Sequence, residues 1–147
     1  MRRHPPRRGG WTRGGIAWIA AVGAVLWLTG VVLYAWPAES LFDLAPWQVA
    51  LRRGAVVVHG TCVWLLCFLA GHWLWSHLAQ VWRRRPGTAW LLGLAGAALL
   101  LLVAASGLLL LYGTEAIRAP ASATHWWSAV ALPGLLVVHG LVRAKRR

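Results

Sequence analysis

Histidine is the residue type whose placement in this sequence points to chemistry. Five of the six histidines lie in or beside two long apolar segments: His59, His72, His77, His125 and His139. An ionisable side chain in apolar surroundings is costly, and such residues usually face the interior of a helix bundle for a functional reason. Imidazole ligates transition metals and relays protons, so these histidines are candidates for either role.

Four histidines lie two on each of the two segments, with nearly equal spacing on both. His59 and His72 are 13 residues apart, and His125 and His139 are 14 residues apart, which correspond to helical rises of about 19.5 and 21 Å. If both segments cross one bundle in the same direction, each pair has one member near each end. Two imidazoles facing each other at one depth suit the two axial positions of a haem iron. The sequence therefore predicts two bis-histidine haem sites.

The rotation of an ideal helix does not decide whether His72 or His77 is the second ligand on its segment. Thirteen residues turn an ideal helix by about 220° beyond whole turns, whereas 14 residues leave about −40°. His125 and His139 are therefore expected to share a face, but His59 and His72 are not. His77 returns to the face of His59, yet it would make that separation about 27 Å, roughly 6 Å longer than on the other segment. Depth favours His72, and His77 remains its rival.

Four apolar segments supply the helices that must position these histidines. Of the 147 residues, 59% are hydrophobic, and the mean hydropathy is +0.60, above the range of soluble domains. Each segment is long enough to cross about 30 Å of hydrocarbon. Short connections make neighbouring helices antiparallel. We expect an all-α, four-helix transmembrane bundle of up-down-up-down topology, with spans at residues 16–36, 55–78, 89–112 and 123–142.

The distribution of basic residues indicates the orientation. The formal net charge is +12, and most Lys and Arg residues lie in the N-terminal tail, the second connection and the C-terminus. Only Arg52, Arg53 and Arg118 lie on the opposite side, together with all three acids. The positive-inside rule places both termini in the cytoplasm. We expect a multi-pass protein of a bacterial inner membrane that binds lipid and not nucleic acid, because its charge lies at helix ends.

The haem-binding domain is expected to cover residues 16–147, after a basic, disordered cytoplasmic tail at residues 1–15. Within it, Arg52 and Arg53 precede His59 by about two turns, where they can pair with haem propionates or act as ordinary topology charges. No C-x-x-C-H attachment motif occurs, so any haem would be non-covalent haem b.

Glycines in all four segments are candidates for making room for a macrocycle. Gly60, Gly71 and Gly140 directly adjoin the paired histidines, and the others lie in the first and third segments, at Gly23, Gly30, Gly93, Gly96 and Gly107. They can open gaps against a porphyrin face. The alternative is close helix packing, which small residues favour in any membrane bundle.

Paired histidines 13 or 14 residues apart on two parallel membrane helices resemble the di-haem four-helix membrane cytochromes b. This group includes ferric-reductase-like membrane domains and small bacterial cytochrome b subunits. The resemblance implies that His59 and His125 hold an outer haem, and that His72 and His139 hold an inner one. It also implies electron transfer across the bilayer, with membrane quinone and a periplasmic or membrane redox protein as partners.

The chain has no nucleotide-binding or flavin-binding motif, so it is expected to be an electron-transfer subunit of an oxidoreductase rather than a self-contained enzyme. Two other classes stay open. A metal or proton transporter would use the same histidines but would be expected to carry acidic partners within its spans. A non-redox assembly or sensor protein would suit the small size but gives no reason for matched histidine pairs.

Overall fold

The computed structural model describes residues 13–38, 42–82 and 87–145, and it describes their side chains except those of Arg13, His72, Trp73, Ser76, Gln80 and Val81. These ranges are helical and contain no strand, which confirms the all-α prediction. There are four helices, α1 (Arg13–Ala35), α2 (Pro46–Trp82), α3 (Thr88–Tyr112) and α4 (Glu115–Ala144).

Each helix is long and apolar enough to cross a membrane. The segments that meet this criterion are Gly14–Ala35, Pro46–Gly71, Thr88–Tyr112 and Glu115–Ala144. By length and composition the chain is therefore a multi-pass membrane protein, as the hydropathy predicts. α2 is the longest helix, with 37 residues, or about 55 Å.

The side chains that the described helices bury are small. The buried hydrophobic residues are Val22, Ala55, Cys62 and Ala121, and no large described side chain is fully buried. Large apolar side chains instead point outward, as Phe68 does with 76% of its surface exposed. Lipid tails are as apolar as leucine, so membrane helices gain little by hiding large side chains and pack through small ones.

α2 begins earlier than the hydropathy predicts, at Pro46 rather than at residue 55. The side-chain Oε1 of Gln48 accepts a hydrogen bond of 2.8 Å from the backbone N–H of Ala45, which satisfies a donor at the helix start. Proline suits the first helical position because its missing N–H has no partner there anyway. Arg52 therefore lies on the helix, from which its long side chain can reach the polar boundary.

α4 also begins earlier than predicted, at Glu115 rather than at residue 123. An acidic residue in the first turn interacts favourably with the positive end of the helix dipole. Arg118, expected in a connection, lies in this first part of α4, where its Nη1 is 3.7 Å from Oε2 of Glu115. The polar composition of this part lowers its hydropathy, which is why the sequence pattern placed the start too late.

The chain divides into two compact units, Met1–Arg84 and Arg85–Arg147. α1 packs against α2 in the first unit, and α3 packs against α4 in the second. In each unit the two helices are antiparallel, because residues later in one helix contact residues earlier in the other. α1 starts at Arg13, so residues 13–15 are helical rather than part of the predicted tail, whose other residues lie outside the described ranges.

Candidate functional site: histidines in glycine-lined helix contacts

His59 lies at the contact between α1 and α2. Its Nδ1 atom is 2.9 Å from the hydroxyl oxygen of Thr29. The next residue of α1, Gly30, brings its backbone close to the ring: a Cβ atom added there would be 3.7 Å from Cε1 of His59. The imidazole of His59 thus packs against two adjacent residues of α1, Thr29 and Gly30.

His125 occupies an equivalent place between α3 and α4. Its Nδ1 atom is 3.0 Å from the carbonyl oxygen of Val103 and 3.3 Å from the hydroxyl oxygen of Ser106. A Cβ atom added at Gly107 would lie 3.2 Å from Cε1 of the ring, which is closer than most side chains pack. Glycine is therefore what allows the imidazole to approach α3 so closely.

His139 also packs against α3, 14 residues after His125 along α4. A Cβ atom added at Gly93 would lie 3.1 Å from its Cε1 and 3.6 Å from its Nδ1. Nδ1 is buried and has no hydrogen-bond partner among the described residues. Leaving such a nitrogen unsatisfied costs about 1–3 kcal/mol. His125 and His139 both contact α3, which confirms that they share a face of α4.

Three of the eight candidate glycines, namely Gly30, Gly93 and Gly107, lie against imidazoles of the neighbouring helix. Gly96 contacts the side chain of Leu136, which is ordinary helix packing. A Cβ atom would meet nothing within 4 Å at the other four, Gly23, Gly60, Gly71 and Gly140. Space for a macrocycle at any of these glycines stays a prediction.

Hydrogen bonding fixes the tautomer of His125. A carbonyl oxygen only accepts, so the contact with Val103 requires the hydrogen of a neutral ring to be on Nδ1. In that tautomer Nε2 carries the lone pair that coordinates a metal. The hydroxyl of Thr29 lies 2.8 Å from the carbonyl oxygen of Val25 and 2.9 Å from Nδ1 of His59.

Sequence reasoning did not identify Thr29, Val103 and Ser106 as part of the site. A hydroxyl residue directly before a glycine, in Thr29-Gly30 and Ser106-Gly107, is a signal that the sequence does contain. It becomes informative only when the helix level of each histidine is known, because the same dipeptide elsewhere is ordinary packing.

The inner ligand of α2 stays a prediction. His72 directly follows Gly71, the last residue of the apolar segment of α2, and its side chain lies outside the described residues. His77 is half-buried near the end of the same helix. In α1 the residue level with His72 is Ala17, counting back from the contact between Gly30 and His59, and the buried Gly15 lies two positions before it.

Arg52, proposed to contact haem propionates, is anchored to the end of α1. Its Nε donates a hydrogen bond of 2.7 Å to the carbonyl oxygen of Trp36. Trp36 in turn contacts Trp47 edge to face, with ring centroids 5.7 Å apart. Arg53 is exposed. The guanidinium of Arg52 thus has a defined position, whereas a propionate contact for either arginine stays a prediction.

Within each unit, the described residues contain no group of three His, Cys, Asp or Glu side chains that could hold a bare metal ion. The two cysteines, Cys62 and Cys67, are free thiols. The described ligand set consists of separate imidazoles held by glycine, hydroxyl and carbonyl groups. No protein-family model, curated protein or solved structure matches this chain.

Proposed function

We propose that the protein is a membrane b-type cytochrome that carries electrons across a bilayer through two bis-histidine haems. His59 and His125 would hold the outer haem, and His72 and His139 the inner one. When bound, each haem supplies an iron that exchanges one electron between its ferric and ferrous states. The chain would supply the imidazoles that hold the iron, and an apolar surrounding.

The observation that carries this proposal is the seating of the histidines. His59, His125 and His139 each lie against a glycine of the neighbouring helix. Ionisable residues within membranes are rare and usually functional. Two of these imidazoles also lie within hydrogen-bond distance of a hydroxyl on that helix.

The chemistry of the ring nitrogens supports a ligand role. His59 and His125 have hydrogen-bonded Nδ1 atoms, as metal-ligating histidines almost always do through their second nitrogen. Haem iron needs at most two protein ligands, because the porphyrin supplies the other four.

The spacing supports transfer across the membrane rather than at one face. His125 and His139 are 14 residues apart on one face of α4, a rise of about 21 Å. This distance covers much of the roughly 30 Å hydrocarbon core. Two haems bound at these levels would divide the crossing into shorter one-electron steps.

The remaining features of the proposal follow from charge and composition. The four helices form an up-down-up-down bundle in a bacterial inner membrane, with both termini in the cytoplasm, as the distribution of Lys and Arg favours. Arg52 and Arg53 pair with propionates of the outer haem. Electrons pass between membrane quinone and a periplasmic or membrane redox protein.

The test is a reduced-minus-oxidised absorbance spectrum of the full chain purified in detergent, together with the haem-to-protein ratio. The proposal expects two b-type haems per chain. One haem would leave a single histidine pair and overturn the two-haem path. Absence of haem after haem-supplemented expression would overturn the proposal and favour the transporter or assembly alternatives.

A further inference from the structure

We propose that Thr29 and Ser106 are positioning residues that hold His59 and His125 with the hydrogen on Nδ1, so that Nε2 is the metal-binding atom. The inference rests on the proposed function for its metal, but the positioning itself concerns the chain alone. It assigns a role to two hydroxyls that lie within membrane helices and touch no other ionisable side chain in the described contacts.

The hydroxyl of Thr29 has one hydrogen and two acceptor positions. It lies 2.8 Å from the carbonyl oxygen of Val25 and 3.1 Å from that of Leu26, both on its own helix. With its hydrogen on a carbonyl of its own helix, the hydroxyl meets His59 as an acceptor. We infer this arrangement, which places an N–H at Nδ1 of His59 across the 2.9 Å contact.

Ser106 repeats this arrangement in the other unit. Its hydroxyl lies 2.7 Å from the carbonyl oxygen of Leu102 and 3.0 Å from that of Val103. It too donates within its own helix and accepts from a histidine, here Nδ1 of His125 at 3.3 Å. His125 has the carbonyl of Val103 as a second acceptor, at 3.0 Å. Both sites thus place a hydroxyl oxygen against Nδ1 of a histidine, and the distance is shorter for Thr29 than for Ser106.

The arrangement predicts a measurable electronic effect. An Nδ1–H that donates a hydrogen bond makes the opposite nitrogen a more basic ligand. A more basic ligand stabilises ferric over ferrous iron and lowers the reduction potential. Thr29 should contribute more than Ser106, because its contact is shorter and because His125 keeps the Val103 carbonyl when Ser106 is changed.

The first experiment needs no haem. The full chain is labelled with ¹⁵N-histidine, and the imidazole nitrogen shifts are recorded for the native sequence, Thr29→Val and Ser106→Ala. His59→Ala and His125→Ala identify the two signals. We expect Nδ1–H for both rings in the native protein and a shift toward Nε2–H for His59 in Thr29→Val. An unchanged His59 signal in Thr29→Val, or Nε2–H in the native protein, would overturn the proposal.

Matched controls are present in the chain. The hydroxyls of Thr61 and Thr124 also donate to their own helices, at 2.9 and 2.8 Å, yet no contact with a histidine is described for either. Thr61→Val and Thr124→Val should leave both imidazole signals unchanged. Thr29→Ser should restore the native signal of His59, and Thr29→Ala provides a second deletion if the valine variant fails to fold.

The second experiment is a redox titration of the haem-loaded variants. Thr29→Val should raise the reduction potential of one haem by at most about 59 mV. For one electron this shift corresponds to a tenfold change in the ferrous-to-ferric ratio. Ser106→Ala should raise it less, and the controls should not. Haem bound with equal potentials in all variants would overturn the positioning role. A tautomer shift without haem in any variant would support positioning and overturn the proposed function instead.

Discussion

The hydroxyl oxygen of Thr29 lies 2.9 Å from Nδ1 of His59, although 30 positions separate the two residues in the sequence. The same relationship recurs between Ser106 and His125, at 3.3 Å across 19 positions. In both cases the histidine is on the second helix of a unit, and a glycine follows the hydroxyl residue on the first. Because the same arrangement occurs in two separate helix pairs, we infer that the hydroxyl contacts orient both imidazoles.

Removing one proposed axial ligand should remove one haem. We expect His125→Ala and His139→Ala each to lower the haem-to-protein ratio from two to one, because each histidine is proposed to hold a different iron. Haemochrome absorbance against protein concentration measures the ratio. His4→Ala, in the N-terminal tail, is the control and should retain both haems. Full haem content in His125→Ala would exclude that residue as a ligand.

The inner ligand of α2 can be decided by comparing two alanine variants. We expect His72→Ala to bind one haem and His77→Ala to bind two, because the depth of His72 matches that of His139 more closely. The opposite result would make His77 the ligand and lengthen the separation from His59 to about 27 Å. Electron paramagnetic resonance of the ferric protein shows which low-spin signal disappears.

Gly93 should not tolerate a side chain without moving His139. A Cβ atom there lies 3.1 Å from Cε1 of the ring, so Gly93→Ala displaces the imidazole by a few tenths of an ångström and Gly93→Val displaces it further. We expect altered ferric resonance of one haem in the alanine variant and loss of that haem in the valine variant.

Gly134→Ala is the matched control for this prediction, since a Cβ atom there meets nothing within 4 Å. It should keep both haems with native resonances. If Gly93→Ala and Gly134→Ala behave alike, the glycine contact does not position His139.

Arg52 should contribute to stability through its bond to the backbone of α1. Arg52→Ala removes the 2.7 Å bond from Nε to the carbonyl oxygen of Trp36, at a cost of about 1 kcal/mol. Arg53→Ala, at an exposed neighbouring position, should cost less. Thermal unfolding in detergent compares the two variants, and a larger loss for Arg53→Ala would contradict the anchoring role of Arg52.

The sequence by itself determined the helical class, the number of apolar helices and the shared face of His125 and His139. These properties depend on local composition and on the fixed rotation of an α-helix. Its boundaries agree with α3 to within one residue and with α1 to within three, because the ends of these helices coincide with changes in hydropathy. The predicted span of α2 is too short at both ends, and α4 starts earlier than predicted. Arg52 and Arg118 lie on these two helices, which continue beyond the most apolar stretch.

Only the tertiary structure decided which residues surround each imidazole. The partners of His59 and His125 lie on the preceding helix, and their identity depends on the register and rotation with which two helices pack. A shift of one residue rotates a helix by about 100°, which would turn Thr29 or Ser106 away from its histidine. Apolar patterning in a lipid-facing helix constrains that rotation weakly, because large side chains are stable on either face. The hydroxyl and glycine contacts therefore emerge from helix packing and not from local sequence.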